Sequence, residues 1–240
     1  SFDEVCQPEP QCQLVTASAG VSMDELIEHT LGQNVVGLED FSNIPGTLGG
    51  SVFINLHYFD KLLSQFLVGA QLIERATGNI LDVNADWFQF GYDQSKLMEH
   101  DYYLINATIK LKKASPIETA YARGRRVEIC RHRISRYPTK NTCGSFFRNF
   151  YPEEVTLLSE GKKVIWVAYY LDKIGVKGVL KKGEAYVSYQ HANMITHKGD
   201  ATSSDIVAVA REMQELVHKE YKIIPKPECI LVGFKTNPLL

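Results

Sequence analysis

The sequence has no apolar run long enough to cross a bilayer and no excess of charge of either sign. It contains 26 basic and 28 acidic residues, which gives a net charge of −2. A membrane-spanning helix needs about 20 apolar residues in succession, and balanced charge gives no general attraction to nucleic acid or to an anionic membrane. No secretory signal is recognisable either. We therefore expect a cytoplasmic protein that binds neither nucleic acid nor membrane.

Several motifs and clusters of reactive residues are also missing. The five cysteines include no C-x-x-C pair, so reduced thiols are expected rather than a disulfide framework. His191 and His197 are six residues apart and do not share a helix face, which argues against a metal site. The chain has no Walker A ending, no G-x-G-x-x-G fingerprint and no G-x-S-x-G elbow around Ser145.

The sequence does contain clear strand and helix patterns. Strands are predicted at residues 13–19, 66–74, 80–83 and 102–111, in GEAYVS and in PECILVGF. Helices are predicted at residues 23–31 and 117–136, in VIWVAYYLDKIG and in the segment that begins at ATSSDI. Ser22 and Glu25 form a capping-box pattern before the first helix, and SVFINL is predicted as a strand or a strand-to-helix junction. The first half of the chain is strand-rich, and the second mixes helix and strand.

The segment NIPGTLGG concentrates four turn-forming residues, Pro45, Gly46, Gly49 and Gly50, within eight positions. A hairpin turn needs only one or two such residues. One interpretation is that backbone N–H groups of this segment hold an anion such as a phosphate. The other is a tight turn whose glycines pack against a neighbouring strand. The glycines alone favour the second interpretation.

A second motif, NTCGSFFRNF, changes that weighting. By itself, Ser145 is most simply a loop hydroxyl bonded to backbone, and the two phenylalanines are core residues. The two motifs together, in this order, resemble the UDP-N-acetylenolpyruvoylglucosamine reductase family, also called UDP-N-acetylmuramate dehydrogenase. The resemblance covers nearly the whole chain and runs through ASAGVSMDELI, GLEDFSNIPGTLGGS, FGYDQS, GSFFRN, VIWVAYYLDKIGVKG, YVSYQHANMI, ATSSDI and PECILVG.

The resemblance implies an activity, a cofactor and a fold. This family reduces UDP-N-acetylenolpyruvoylglucosamine to UDP-N-acetylmuramate in peptidoglycan precursor synthesis, with FAD as cofactor and NADPH as co-substrate. The implied fold is α+β. Residues 1–114 would be the C-terminal portion of an FAD-binding domain of the vanillyl-alcohol-oxidase-like type, and residues 115–240 a UDP-sugar-binding domain, in a monomer. The family also has an N-terminal lobe with its own glycine-rich loop, for which residues 1–20 offer no counterpart.

The resemblance also implies site residues. It assigns FAD binding to Ile44, Pro45, Gly46, Thr47, Gly49, Gly50 and Asn55. It assigns proton donation to Ser145 and a supporting carboxyl role to Glu228, whose neutral form burial would favour. A serine hydroxyl is a weak acid, so its neighbours must stabilise the alkoxide. The implied substrate contacts are Tyr92, Arg136, Arg148, Asn149, and Gln190 or His191.

The sequence departs from the family pattern in two places within the first half. Asp93 stands where the family has an arginine that faces the substrate carboxylate, and Leu56-His57-Tyr58-Phe59 replaces the usual Gly-Ala-Tyr-Gly. An anion facing an anionic transition state is unfavourable. We therefore expect Asp93 to point away and Lys96 or a distant arginine to substitute. The alternative is a catalytically silent nucleotide-sugar-binding module; another FAD oxidase is disfavoured by GSFFRN and Pro-Glu.

The segment 117–136 carries a cluster of arginines that belongs to none of the motifs above. A solvated helix face is a simpler interpretation of this cluster than a phosphate site. The cluster consists of Arg123, Arg125, Arg126, Arg131 and Arg133.

Overall fold

A computed structural model describes residues 11–240 and divides the chain into two compact units. The first unit ends at Arg131, and the second spans His132–Leu240. Both units combine helices with antiparallel sheet, so the predicted α+β class is confirmed. None of the helices within the described range has the length and apolar character that crossing a bilayer requires.

The first unit is built on an antiparallel sheet in which the longest strand is central. Its strands are β1 (Cys12–Ser18), β2 (Val35–Val36), β3 (His57–Tyr58), β4 (Lys61–Leu62), β5 (Leu67–Glu74), β6 (Ile80–Asn84) and β7 (Tyr102–Lys113). The order in the main sheet is β1-β7-β5-β6, with β2 also paired to β7, and β3 with β4 forms a separate hairpin. The predicted strands of this half are confirmed.

Three helices accompany this sheet: α1 (Met23–Gly32), α2 (Leu48–Phe53) and α3 (Pro116–Arg136). Ser22 caps α1 and forms the predicted capping box with Glu25. Met23, Leu26, Ile27 and Leu31 are buried, as the periodicity predicts. The segment SVFINL is not a strand, because Thr47 caps a short helix by accepting a hydrogen bond from the Gly50 N–H.

Helix α3 begins where the second domain was expected to begin, yet most of it packs on the first unit. Ala122 and Ile129 are buried in the core of that unit. Arg126 donates hydrogen bonds of 2.8 Å to both Asp24 and Glu28 of α1 and holds the pKa of Glu28 below its usual range. The structural boundary therefore falls inside α3 rather than after residue 114.

The predicted solvated face of α3 is only partly present. Arg123 pairs with Glu28 and Arg125 with Asp40, whereas Arg131 pairs with its helical neighbour Glu128 on the surface.

The second unit has a small antiparallel sheet and two helices. Its strands are β8 (Leu158–Ser159), β9 (Lys162–Lys163), β10 (Lys181–Lys182), β11 (Ala185–Val187) and β12 (Ile195–His197), with the order β10-β11-β12 and a separate β8-β9 hairpin. Its helices are α4 (Val167–Ile174) and α5 (Ser203–Tyr221). Gly175 ends α4 in a left-handed conformation, and Thr202 caps α5.

The predicted final strand in PECILVGF is wrong. Only Pro227 makes a bridge, to Phe147, and the residues after it adopt no regular structure. Ile230 and Val232 are 65% and 83% exposed. Apolar composition suggested a strand here, but these side chains have no sheet face against which to pack.

Candidate functional site

The glycine-rich segment of the first unit is held by internal hydrogen bonds. The Gly49 N–H donates to the Ala19 carbonyl at 2.8 Å, and a Cβ on Gly49 would lie 3.0 Å from the Cβ of Ala19. The Gly50 N–H donates to Oγ1 of Thr47 at 3.2 Å. The expectation that these two N–H groups face an anion is therefore corrected: Gly49 allows close backbone packing and Gly50 completes a helix cap.

The beginning of the same segment faces outward. Pro45, Gly46 and Thr47 are exposed, and Gly46 has a φ of 141°, which favours glycine. Ile44 packs against the core of the unit. The part of the loop open to a ligand is thus residues 45–47, a smaller set than predicted.

Asn55 fastens three parts of the first unit together. It is buried, and its Nδ2 donates to the Gly91 carbonyl at 2.9 Å while its Oδ1 accepts from the Ser64 N–H at 3.1 Å. Both ends of its amide are used within the protein. Asn55 therefore positions the FGYDQS segment, and the contact between this side chain and a flavin stays a prediction.

Asp93 lies against His57, which belongs to the other stretch that departs from the family pattern. Its Oδ1 is 3.0 Å from Nδ1 of His57, and both side chains are largely buried. Tyr92, a predicted substrate contact, is 44% exposed and its ring lies 4.8 Å from that of His57. Asp93 has a partner within its own unit, and its orientation relative to the substrate stays a prediction.

The aromatic side chains around this segment pack against one another. Trp87 makes edge contacts with Phe88 and Tyr102, and Phe90 stacks on Phe88. Lys96 holds its ammonium group 5.0 Å from the centroid of the Trp87 ring. The expected role of Lys96, as the cation that replaces the family arginine, stays a prediction.

In the second unit, the segment that contains Ser145 is paired on both sides. Ser145 bridges Met194 on one side. On the other side, the Glu228 N–H donates to the Phe146 carbonyl at 2.9 Å and the Arg148 N–H donates to the Lys226 carbonyl at 3.0 Å. The two predicted catalytic residues are therefore on neighbouring, antiparallel segments.

Three buried residues keep the Ser145 segment in place. Phe146 and Phe147 belong to the core of the unit, as predicted. Asn193 is also buried, and its side chain accepts from the Phe147 N–H at 3.1 Å and donates to the Phe147 carbonyl at 2.7 Å. Ser145 itself is partly exposed. A partly exposed Ser145 is thus carried by a segment whose backbone is paired on both sides.

Glu228 differs from its expected environment. Its side chain is exposed, so the burial that would favour a neutral carboxyl is absent, and this expectation is corrected. Its backbone is nevertheless fixed against Phe146.

Arg148 and Asn149 have protein partners. The guanidinium of Arg148 forms a bidentate pair with Glu154, with both N···O distances 2.8 Å, and lies over the ring of Tyr151. This pairing lowers the pKa of Glu154. Oδ1 of Asn149 accepts from the Val167 N–H at the start of α4. A ligand at Arg148 would have to compete with Glu154.

The remaining predicted substrate contacts gather at the end of α3. Nε2 of Gln190 donates to the Ile134 carbonyl at 3.1 Å, which joins two chain segments. His191 is partly buried, and burial together with the charges of Arg136 and Lys177 lowers its pKa to about 4. His191 is therefore neutral at pH 7. Arg136 is exposed and near this histidine.

Comparison with known proteins addresses the resemblance. Residues 137–232 match the family model for the C-terminal domain of UDP-N-acetylenolpyruvoylglucosamine reductase. The chain is similar in sequence to UDP-N-acetylenolpyruvoylglucosamine reductases. The reductase of Pediococcus pentosaceus is 29% identical over 220 residues, which cover 91% of this chain and 68% of that protein. The reductase of Lachnoclostridium phytofermentans is 26% identical over 95% of this chain and 69% of its own length.

A solved reductase structure supports the fold. The crystal structure of UDP-N-acetylenolpyruvylglucosamine reductase from Thermus caldophilus aligns with a TM-score of 0.73 at 23% identity, over 90% of this chain and 71% of that one. This likeness concerns the fold. The resemblance to the reductases that the two sequence motifs suggested is confirmed.

Several residues that shape the site were not singled out from the sequence. Glu154 is the partner of Arg148, and Asn193 anchors the Ser145 segment. His57 was noted as a departure from the family pattern but not as the partner of Asp93. Gln214 is fully buried in the apolar stripe of α5 and donates to the Pro225 carbonyl at 2.7 Å. The available signal for Asn193 and Gln214 is an amide side chain among the apolar residues of a predicted core segment. A buried amide must find hydrogen-bond partners.

Proposed function

We propose that this chain carries the UDP-sugar-binding domain and part of the FAD-binding domain of a UDP-N-acetylenolpyruvoylglucosamine reductase. Its product would be UDP-N-acetylmuramate, with NADPH as the reductant. The observation that carries the proposal is the pairing of the Ser145 segment with the Glu228 segment. The matches to the reductases support it. We expect the chain to act as a cytoplasmic monomer.

FAD is implied by the family, and residues 45–47 fit one of its phosphates. They form an exposed turn immediately before α2, where backbone N–H groups of Gly46 and Thr47 would hold the phosphate. When bound, the flavin supplies a hydride to the enolpyruvyl group. Gly49, Gly50 and Asn55 would contribute indirectly, by fixing the shape of the loop through the internal hydrogen bonds described above.

The residues of the second unit supply the proton and the orientation. Reduction of the enolpyruvyl double bond requires a proton at carbon, and the Ser145 hydroxyl would donate it. Because both neighbours of the Ser145 segment are hydrogen-bonded to it, little orientational freedom is lost on reaction. Glu228 would act beside it from the paired segment. Arg148 would exchange Glu154 for the substrate diphosphate, since both offer oxygens to the same planar fork.

A nucleotide-sugar-binding module without catalytic activity is the second candidate. The specific observation in its favour is that Asp93 replaces a family cation and forms a stable pair with His57. The internal use of the Gly49, Gly50 and Asn55 amide groups also reduces the number of groups available to a flavin.

The test measures binding and turnover separately. UDP-N-acetylenolpyruvoylglucosamine is titrated calorimetrically, FAD retention is read by absorbance, and NADPH oxidation is followed with substrate present. The proposal predicts that the chain binds the UDP-sugar, retains FAD and oxidises NADPH when the substrate is present. Turnover should fall 100-fold or more in Ser145→Ala, on the order of the usual contribution of a general acid. The exposed Ser159→Ala serves as control. Sugar binding without flavin or turnover would favour the second candidate, and no sugar binding would contradict both.

A further inference from the structure

Two cysteines lie beside the two proposed catalytic residues. Cys143 precedes Ser145 by two positions, and Cys229 follows Glu228 directly. The hydrogen bond from the Glu228 N–H to the Phe146 carbonyl holds the two cysteine-bearing segments side by side. The side chains of Cys143 and Cys229 are within hydrogen-bonding range of each other, and both are free thiols. Residues far apart in the sequence are thus brought together as a dithiol.

The contact makes the two thiols chemically unequal. Cys143 is exposed, and the hydrogen bond from Cys229 lowers its pKa to about 7. The same hydrogen bond, together with burial, raises the pKa of Cys229. At pH 7 about half of the Cys143 side chains are therefore thiolates, while Cys229 stays a protonated thiol. An accessible thiolate with a resolving thiol in contact is the arrangement that peroxides oxidise selectively.

We propose that Cys143 and Cys229 form a reversible switch that a peroxide closes into a disulfide across the Ser145 and Glu228 segments. The Cys143 thiolate attacks one oxygen of hydrogen peroxide, the O–O bond breaks, and hydroxide leaves. The Cys229 sulfur then attacks the resulting sulfenic acid, the S–O bond breaks, and hydroxide leaves while Cys229 gives up its proton. In sum, two thiols are oxidised to one disulfide and one peroxide is reduced to two molecules of water.

The consequence of closure follows from the position of the bond. Gly144, with a φ of 86°, separates Cys143 from Ser145, so the Ser145 loop turns sharply at this point. A covalent bond there would prevent the loop from moving away from the Glu228 segment. This consequence for the site, though not the oxidation itself, rests on the proposed function.

The oxidation is tested on the whole purified chain with hydrogen peroxide as the probe. After treatment, free thiols are alkylated and the digested protein is analysed by mass spectrometry. We expect a peptide linked through Cys143 and Cys229, lost on reduction with dithiothreitol and absent from Cys143→Ser and Cys229→Ser. The half-buried Cys130→Ser should leave the linked peptide unchanged. Sulfinic acid at Cys143 with alkylated Cys229, or a disulfide to another cysteine, would overturn the proposal.

The effect on the site is measured in a separate titration with UDP. The dissociation constant of UDP should differ at least threefold between oxidised and reduced protein. In Cys143→Ser, peroxide treatment should leave this constant unchanged. Equal affinity of oxidised and reduced protein would overturn the coupling to the site. Failure of the reduced protein to bind UDP would instead contradict the proposed function, and the linked peptide would still report the dithiol.

Discussion

Asp93 and His57 face each other, with 3.0 Å between Oδ1 of the aspartate and Nδ1 of the histidine. Each of these residues departs from the family pattern at its own position, and the two departures meet in space. The pair lies beside Tyr92, whose ring contacts the histidine. Asp93 therefore has a partner, His57, within its own unit.

Replacing His57 by alanine should destabilise the first unit. Asp93 is only 15% exposed at its side chain, so removal of the histidine costs about 1–3 kcal/mol of the free energy of unfolding. Chemical denaturation of His57→Ala, Asp93→Asn and the double variant gives the coupling energy. We expect about 1 kcal/mol of coupling for contacting residues, whereas Lys112→Ala, which breaks an exposed pair with Glu118, should cost less. A coupling energy near zero would show that the two side chains do not interact.

Gly49 and Gly50 should respond oppositely to alanine. A Cβ at Gly49 would meet the Cβ of Ala19 at 3.0 Å and its backbone oxygen at 3.1 Å, and such overpacking typically costs about 1–3 kcal/mol. At Gly50 the nearest atom would be Oγ1 of Thr47 at 3.7 Å. Alanine there should be neutral or stabilise α2 by up to about 1 kcal/mol. Thermal denaturation of both variants measures the difference, and equal effects would contradict close packing at Gly49.

The glycine-rich segment also shows what the sequence could and could not predict. Four turn-forming residues indicated close backbone approach, and both an anion and a neighbouring strand were possible partners. The structure puts Gly49 against Ala19 at the end of β1, a contact between residues far apart in sequence. Local composition contains no record of which neighbour the fold will supply.

Predictions succeeded where a local pattern determined the outcome. The helices that start at Ser22 and Thr202 have capping boxes that need only four consecutive residues. The strand predicted in PECILVGF failed, because a strand requires a partner along its length and only Pro227 has one. The partners of Arg148 and Asp93 likewise depend on the fold, so the sequence did not indicate that Glu154 and His57 would be those partners.

Asn193 should be essential to the stability of the second unit. Asn193→Leu removes both hydrogen bonds to Phe147 and leaves a buried N–H and a buried carbonyl unsatisfied. We expect a loss of about 2–6 kcal/mol in the free energy of unfolding, from the penalty of about 1–3 kcal/mol for each of the two groups. Urea denaturation measures it. The exposed Ser159→Ala should change stability by less than about 0.5 kcal/mol, and a similarly small effect at Asn193 would contradict its anchoring role.

His191 should make the second unit sensitive to acid. Burial, with the nearby charges of Arg136 and Lys177, lowers its pKa from 6.5 to about 4 in the folded chain, so between these values the unfolded chain binds more protons. Stability is therefore complete above pH 6.5 and falls as the pH is lowered towards 4, by at most about 3 kcal/mol. His191→Gln should flatten this part of the profile of unfolding free energy against pH. The exposed His218→Gln should leave it unchanged, and a steep profile that persists in His191→Gln would assign the acid sensitivity to other groups.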